Sequence, residues 1–131
     1  MARAGKNARN FNIDLRKFGV QTQAQVGLAV RKIALDITAD VVMMTPVDTG
    51  RARANWLPSL QVPNTAITDQ TDKSGGKAMS EMAAVASSFQ IGDTIWLSNN
   101  LPYILKLENG HSKQAPQGMV EVTMSRYAGA T

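Results

Sequence analysis

The sequence predicts an α+β fold: one long N-terminal helix packed on a small antiparallel β-sheet, with one or two short helices. Three observations carry this expectation. Apolar residues recur at helical spacing over the first third of the chain. Two later segments read as strands. Two short stretches return to helical spacing between and after them.

The long helix rests on Leu15, Phe18, Val26, Val30, Ile33, Ile37, Val41 and Met44, spaced mostly by three or four beyond a polar step near residues 21–25. Lys17, Gln21, Gln25, Arg31, Lys32, Asp36 and Asp40 fall opposite them. Asp14 fits an N-cap, with Ile13 before it as a hydrophobic staple. Pro46 ends the helix, because it restricts Thr45 and supplies no N–H. About thirty residues at ~1.5 Å each give a rod near 45 Å, long for so small a domain, which hints at assembly.

Residues 46–51 (PVDTGR) form a turn in which Asp48 accepts backbone N–H groups and Gly50 takes positive φ. Residues 52–60 read as a strand that Pro58 places at an edge or ends. Residues 61–76 are a polar loop, long enough to suggest a functional or mobile role. Residues 77–89 read as a helix with Met79, Met82, Ala83, Ala86 and Phe89 on one face and Ser74 as its cap. Residues 89–98 are the best strand, with Phe89, Ile91, Ile95 and Leu97 on one side if Gly92 and Asp93 turn or bulge. Asn99, Asn100, Pro102 and Tyr103 set the path into a short helix at 103–108, which Asn109 and Gly110 stop. Residues 111–118 form a second polar loop. Residues 119–127 fit a helix (Val120, Met124, Tyr127) or a strand (Val120, Val122, Met124).

Composition narrows the function. The 131 residues are 44% hydrophobic and 18% charged, which suits a single globular domain with a modest core. Cysteine is absent and His111 is the one histidine, which excludes disulfides, thiolate zinc sites and thiol catalysis and leaves little for a histidine-based site. No apolar run approaches the ~20 residues that span a bilayer, so no membrane partner is expected. The net charge of +4 is uneven. Residues 1–32 hold Arg3, Lys6, Arg9, Arg16, Lys17, Arg31 and Lys32 against Asp14 alone. Residues 1–12 read as a flexible basic arm ahead of a single domain at 13–131. Such an arm suits an acidic partner or is simply a solvated tail.

Four features have a chemical reading beside a plain one. Asp48-Thr49-Gly50 spells the aspartic-protease tripeptide, but it follows a long helix, and the flanking Arg51 and Arg53 favour an ionised carboxylate that cannot share a proton. Gly75-Gly76-Lys77 lacks the phosphate-loop frame, since Ala78 follows the lysine. His111 is a loop histidine with no metal-ligand cluster beside it in sequence. The basic arm can meet phosphates but lacks interleaved aromatics and a base-reading frame. No catalytic set and no cofactor are expected.

Two longer segments resemble a known family. The stretch TPVDTGRARANW, residues 45–56, after a long helix, is similar to the P-x-D-T-G-x-L-(R/K)-x-S/N turn of a small tailed-phage family. The runs DTIWLSNNLPY (93–103), LENG (107–110) and SKQAPQGMV (112–120) look like its second half, in the same order. The family is the head–tail joining or tail-completion proteins of long-tailed bacteriophages, also described as minor tail or neck proteins. The likeness covers residues 13–127. Ala52 stands where the family often has a large apolar residue, and Asn109 where an aromatic is common.

The resemblance implies a structural virion protein. It would form a ring, expected to be hexameric, at the head–tail interface around the DNA path. It would meet neighbouring neck and tail proteins, with a contact to packaged DNA, after assembly in the host cytoplasm. A tail terminator or tail-tube-like subunit is the neighbouring alternative. A DNA-binding accessory protein without sequence specificity is the alternative of another class. Pro46, Asp48, Gly50, Asn99, Asn100, Pro102 and Tyr103 are expected to be structural turn residues. Arg3, Lys6, Arg9, Phe11, Ile13, Arg51, Arg53, Lys113 and Gln114 are expected to be assembly contacts.

Overall fold

The computed structural model of the chain describes residues 22–110 and 118–128. Its elements run α1 (Gln23–Met44), α2 (Arg51–Ala54), β1 (Leu57–Leu60), α3 (Gly76–Ser88), β2 (Ile95–Ser98), α4 (Ile104–Glu108) and α5 (Met119–Ala128). A long N-terminal helix, a two-stranded antiparallel sheet and a few short helices make an α+β fold.

Helix α1 begins later than its apolar spacing suggests. Thr22 is extended (φ −124°, ψ 161°), and its hydroxyl accepts from the Gln25 N–H at 3.2 Å. The Gln25 side-chain carbonyl accepts from the Thr22 N–H at 3.1 Å, completing a capping box. One unbroken rod from Leu15 is therefore ruled out, and α1 has 22 residues, about 33 Å. The polar step near residues 21–25 marks a helix start. Asp14 and Ile13, expected as cap and staple, lie outside the described residues.

At its other end α1 stops at Thr45, whose backbone is extended ahead of Pro46. Burial along α1 is one-sided in length as well as in face. Thr38, Val41 and Val42 are buried, while residues 22–25 are exposed. The core therefore lies under the C-terminal half of α1. Val41, Val42, Trp56, Ala78 and Met119 form its centre, with Ile37, Met44, Leu97, Ile104, Leu107 and Val120 packed against it. Helices α3 and α5 both pack on α1.

The strand expected over 52–60 is shorter than its alternation implies. Residues 51–54 form a single helical turn, in which Ala54 N–H donates to Gly50 O at 3.0 Å and Asn55 N–H to Arg51 O at 3.1 Å. Arg and Ala favour helix, and Gly50 at φ 91° supplies the turn that starts it. A Cβ on Gly50 would lie 2.7 Å from Lys73 N, so both φ and space demand glycine.

The second strand also shortens. Phe89 ends α3, and Asp93 N–H donates to Gln90 O at 2.9 Å, closing a turn through Gly92. Ile91 is exposed as a result. Pairing runs Leu57↔Ser98, Pro58↔Leu97, Ser59↔Trp96 and Leu60↔Ile95.

Gln61 continues the pairing beyond β1. Its N–H donates to Thr94 O at 2.7 Å, and its φ of 69° is the one positive non-glycine value among the described residues. Its side chain donates to Asp93 Oδ1 at 2.6 Å and accepts from Thr94 N–H at 3.1 Å. Its own carbonyl accepts from the Trp96 indole at 3.0 Å. Four hydrogen bonds hold a backbone conformation that an L-residue rarely adopts.

Helix α3 spans almost the residues expected, but its buried face is Ala78, Met82 and Ala86, with Ala83 exposed. Helix α4 ends at Asn109 with Gly110 at φ 85°, as the sequence implies. Of the two readings for 119–127, the helix is realised as α5.

Candidate functional site

The two segments that carry the family resemblance meet in space. Asn99 links them through Ala52 O, and Arg53 ties the first segment to the end of α1 and the loop before α3. Its Nε donates to Thr45 O at 3.0 Å, Nη2 to Met43 O at 2.9 Å and Nη1 to Lys73 O at 2.6 Å. These carbonyls include those left unpaired where α1 ends, so one planar guanidinium caps the helix and anchors the loop before α3. Behind it, the buried Trp56 indole donates to Thr45 Oγ1 at 2.8 Å, and that hydroxyl donates to Val41 O at 2.7 Å.

Asn55 and Arg51 secure the loop at 61–75. Asn55 is fully buried. Its amide donates to Arg51 O at 2.8 Å and Thr68 O at 3.0 Å, and its carbonyl accepts from Thr68 N–H at 3.0 Å. Arg51 donates to Thr68 O at 3.3 Å and pairs with Asp69 at 3.1 Å. Arg51 and Arg53, expected as assembly contacts, make these bonds within the chain. Neither guanidinium bonds Asp48.

Asp48 itself departs from expectation. It is exposed and accepts no hydrogen bond from a described residue; the hydroxyl that serves the turn is Thr49 Oγ1, 3.2 Å from the Arg51 N–H.

The second segment clasps the same loop. Asn99 donates to Ala52 O at 3.1 Å and accepts from Leu101 N–H at 3.2 Å. Asn100 donates to Asn64 O at 2.8 Å and Ala66 O at 2.9 Å. These asparagines set the path as expected, but through side-chain amides rather than unusual backbone angles, since neither has positive φ. Pro102 and Tyr103 follow at the surface, with Tyr103 leading into α4. The loop at 61–75 is therefore tied down from both sides.

Glu108 joins the last two pieces. Its Oε1 accepts from Met119 N–H at 2.9 Å and Val120 N–H at 2.8 Å, and Oε2 accepts from Glu121 N–H at 2.9 Å. Gly118, at φ 85°, lets the backbone pass so close that a Cβ there would collide with Glu108 O.

The phosphate reading of Gly75-Gly76-Lys77 is answered by Asp72. Its Oδ2 accepts from Lys77 N–H at 2.6 Å, occupying the anion position at the start of α3. Its Oδ1 accepts from the Ser74 N–H at 3.1 Å and hydroxyl at 2.7 Å. The Lys77 bond, then the Ser74 hydroxyl, hold the Asp72 carboxyl below its ordinary value. Ser74, expected as the cap, supports Gly76 N–H at 3.2 Å instead. Lys77 Nζ pairs with Glu81 at 3.2 Å.

The described part of the basic N-terminal stretch is also engaged. Arg31 donates to Ala86 O at 3.0 Å and Phe89 O at 3.3 Å, closing the end of α3. Lys32 pairs with Asp36 at 2.9 Å. Arg3, Lys6, Arg9, Phe11, Ile13, His111, Lys113 and Gln114 lie outside the described residues.

Two surfaces remain available to neighbours. Leu28 and Ile91 are exposed beside an open groove at the N-terminal end of α1. Val62, Ile67, Tyr103 and Leu105 are exposed around the loop that Asn100 holds and the helix after it. The sheet also has open edges. The Gln61–Thr94 bond fixes the alternation, so Ile95 and Leu97 direct their backbone groups away from β1. On the opposite edge Pro58 removes a donor. No three His, Asp or Glu residues among those described are placed to hold a metal ion. No described helix is long and apolar enough to cross a membrane.

Scans against protein-family models, curated proteins and solved structures find no match to this chain.

Sequence reasoning missed Glu108, Asp72 and Asn55 as fixing residues. Asp72 had a readable signal, an acid a few residues ahead of a helix in a Ser/Gly run. Glu108 and Asn55 stand inside the runs that carry the resemblance, but nothing local signalled their bonds to residues 11 to 13 positions away.

Proposed function

We propose that the protein is a structural virion subunit at the head–tail interface of a long-tailed phage, completing the tail or joining head to tail as a ring of copies around the DNA path. A homo-oligomer, expected to be hexameric, and neighbouring neck and tail proteins are its partners. The virion is its location, reached through assembly in the host cytoplasm.

The reading begins from the two sequence segments and is supported by what their residues do. Arg53, Asn55, Asn99, Asn100 and Glu108 hold backbone to backbone, as a scaffold requires. The observation that carries it furthest is the balance of apolar surface. Among the described residues twelve apolar side chains are buried, four of them alanines, while seven large ones stand exposed. A small core flanked by exposed Leu28, Met43, Val62, Ile67, Ile91, Tyr103 and Leu105 suits a subunit completed by its neighbours.

Imaging or native mass measurement of assembled particles tests the proposal. A closed ring of copies at the head-proximal end of the tail is the expected result. A single copy per particle, or none, overturns it.

A further inference from the structure

We propose that the peptide between Asn109 and Gly110 is a self-modification site, where the chain converts its own asparagine to aspartate and isoaspartate, and that the joint between α4 and α5 gates the reaction. Five asparagines lie among the described residues. Four of them, Asn55, Asn64, Asn99 and Asn100, hold backbone groups through their side chains. Asn109 is exposed, and its carboxamide bonds no described residue. It also opens the one Asn-Gly pair in the sequence. Glycine has no side chain to shield its amide nitrogen, so Gly110 N can close on the carboxamide beside it.

In the reaction Gly110 N gives its proton to hydroxide and attacks Asn109 Cγ. The N–Cγ bond forms, the Cγ–Nδ2 bond breaks, and Nδ2 leaves as ammonia with a proton from water. Water then opens the cyclic imide. Opening at Cγ restores the main chain with an aspartate. Opening at the backbone carbonyl routes the main chain through Cβ and Cγ. The fold holds the reacting atoms apart. Asn109 caps α4 at φ −84° and ψ 12°, which turns Gly110 N away from the carboxamide. Gly110 N–H donates to Leu107 O at 3.1 Å, and Asn109 N–H to Leu105 O at 2.9 Å. Ring closure breaks the first of these bonds and rotates the peptide. Helix α4 has five residues, too few to persist alone. Its end is held by Glu108, next to Asn109, through three N–H groups of α5. The products then oppose re-closure. A new carboxylate stands at the negative end of α4, and the isoaspartate lengthens the main chain ahead of Gly110, whose φ of 85° forms the stop.

Mass spectrometry of the tryptic peptide 107–113 reads the reaction, because Lys106 and Lys113 bound it. The full chain is incubated at mildly alkaline pH, native and in urea, and a zero-time sample sets the background. In urea Asn109 should convert faster than any other asparagine, and Gly110→Ala should slow it strongly. In native buffer its rate should fall at least about tenfold, because only the opened fraction reacts. Native Glu108→Gln and Glu108→Ala should react progressively faster than the parent. If the alanine variant does not fold, the glutamine variant carries the comparison. In urea the three chains should react alike, which separates opening from a direct effect of the neighbouring carboxylate. No preference for Asn109 in urea would remove the site. Equal native and urea rates, native Glu108 variants no faster than the parent, or the same differences persisting in urea would overturn the gate.

Discussion

The Glu108 carboxylate closes the helix that begins at Met119, taking that residue's N–H at 2.9 Å and two more from Val120 and Glu121. It places an anion where α5 has unpaired donors and a positive dipole end. Residues 107–110 and 118–121, apart in the sequence, are thereby one structural unit.

Replacing Glu108 should expose how much α5 depends on that cap. Glu108→Ala is expected to cost about 1–3 kcal/mol, the range for lost charged hydrogen bonds and caps. Glu108→Gln keeps one acceptor and should lose less. Urea denaturation checks the order; equal stability of the alanine variant and the parent would remove the cap from the account.

Arg53 should not tolerate lysine. An ammonium cannot reach Met43 O, Thr45 O and Lys73 O together with the geometry of a planar fork. Arg53→Lys is expected to cost about 2 kcal/mol or more, close to the loss in Arg53→Ala. A lysine variant as stable as the parent would show that the fork is dispensable.

The start of α3 gives an acid limb to stability. Asp72 is held below its ordinary 3.8 by the Lys77 N–H and the Ser74 hydroxyl. The unfolded chain therefore binds its proton first as pH falls. Stability from this group is fully present well above 3.8 and is lost as pH drops through the folded value. Asp72→Asn should flatten that part of the curve, measured by denaturation from neutral to acid pH. An unchanged curve would refute the assignment.

Thr123 is fully buried in α5, and its hydroxyl has no hydrogen-bond partner among the described residues. Thr123→Val replaces the hydroxyl with a methyl of similar shape. It should be neutral or stabilising by up to about 1 kcal/mol, because an unsatisfied polar group is removed. A clear destabilisation would show that the hydroxyl has found a partner.

Asp48 should matter little to stability. A turn carboxylate that accepts backbone N–H groups, the role the sequence suggests for Asp48, would cost about 0.5–2 kcal/mol on replacement by alanine, as for a lost cap. Its exposure and lack of a described hydrogen bond revise that to within about 0.5 kcal/mol. Thermal unfolding measures it, and a peptidase assay on the same variant checks the protease reading. A cost above the revised range would restore the cap role, and a peptidase activity abolished by this substitution would favour the enzyme.

The fold was legible where local rules decide it. Pro46 and Gly50 mark the turn after α1, Asn109 and Gly110 mark the end of α4, and the Met/Ala spacing marks α3. It was illegible where an element is shorter than the pattern window. Residues 51–54 are one helical turn, and their alternation with Trp56 and Leu57 imitates a strand. Thr22 and Gln25 formed a readable capping box, but the apolar spacing on both sides of it suggested one continuous rod. At the candidate site, the roles of Asn99 and Asn100 as path-setting residues were visible, while their amide donors acting on Ala52, Asn64 and Ala66 were not. Periodicity carries no information about bonds between residues 34 to 47 apart.

The two tryptophans divide the molecule into optical halves. Trp56 is 5% exposed and hydrogen-bonded inside the core, so its emission reports the packing of α1 on the rest of the chain. Trp96 lies on β2, only partly covered, with its indole on the Gln61 carbonyl. A soluble quencher reaches the second ring and not the first. A neighbour that covers the sheet or displaces the Gln61 turn would change the quenchable fraction and leave the protected one alone. Docking on that face and loss of the fold therefore have different fluorescence signatures, without a label.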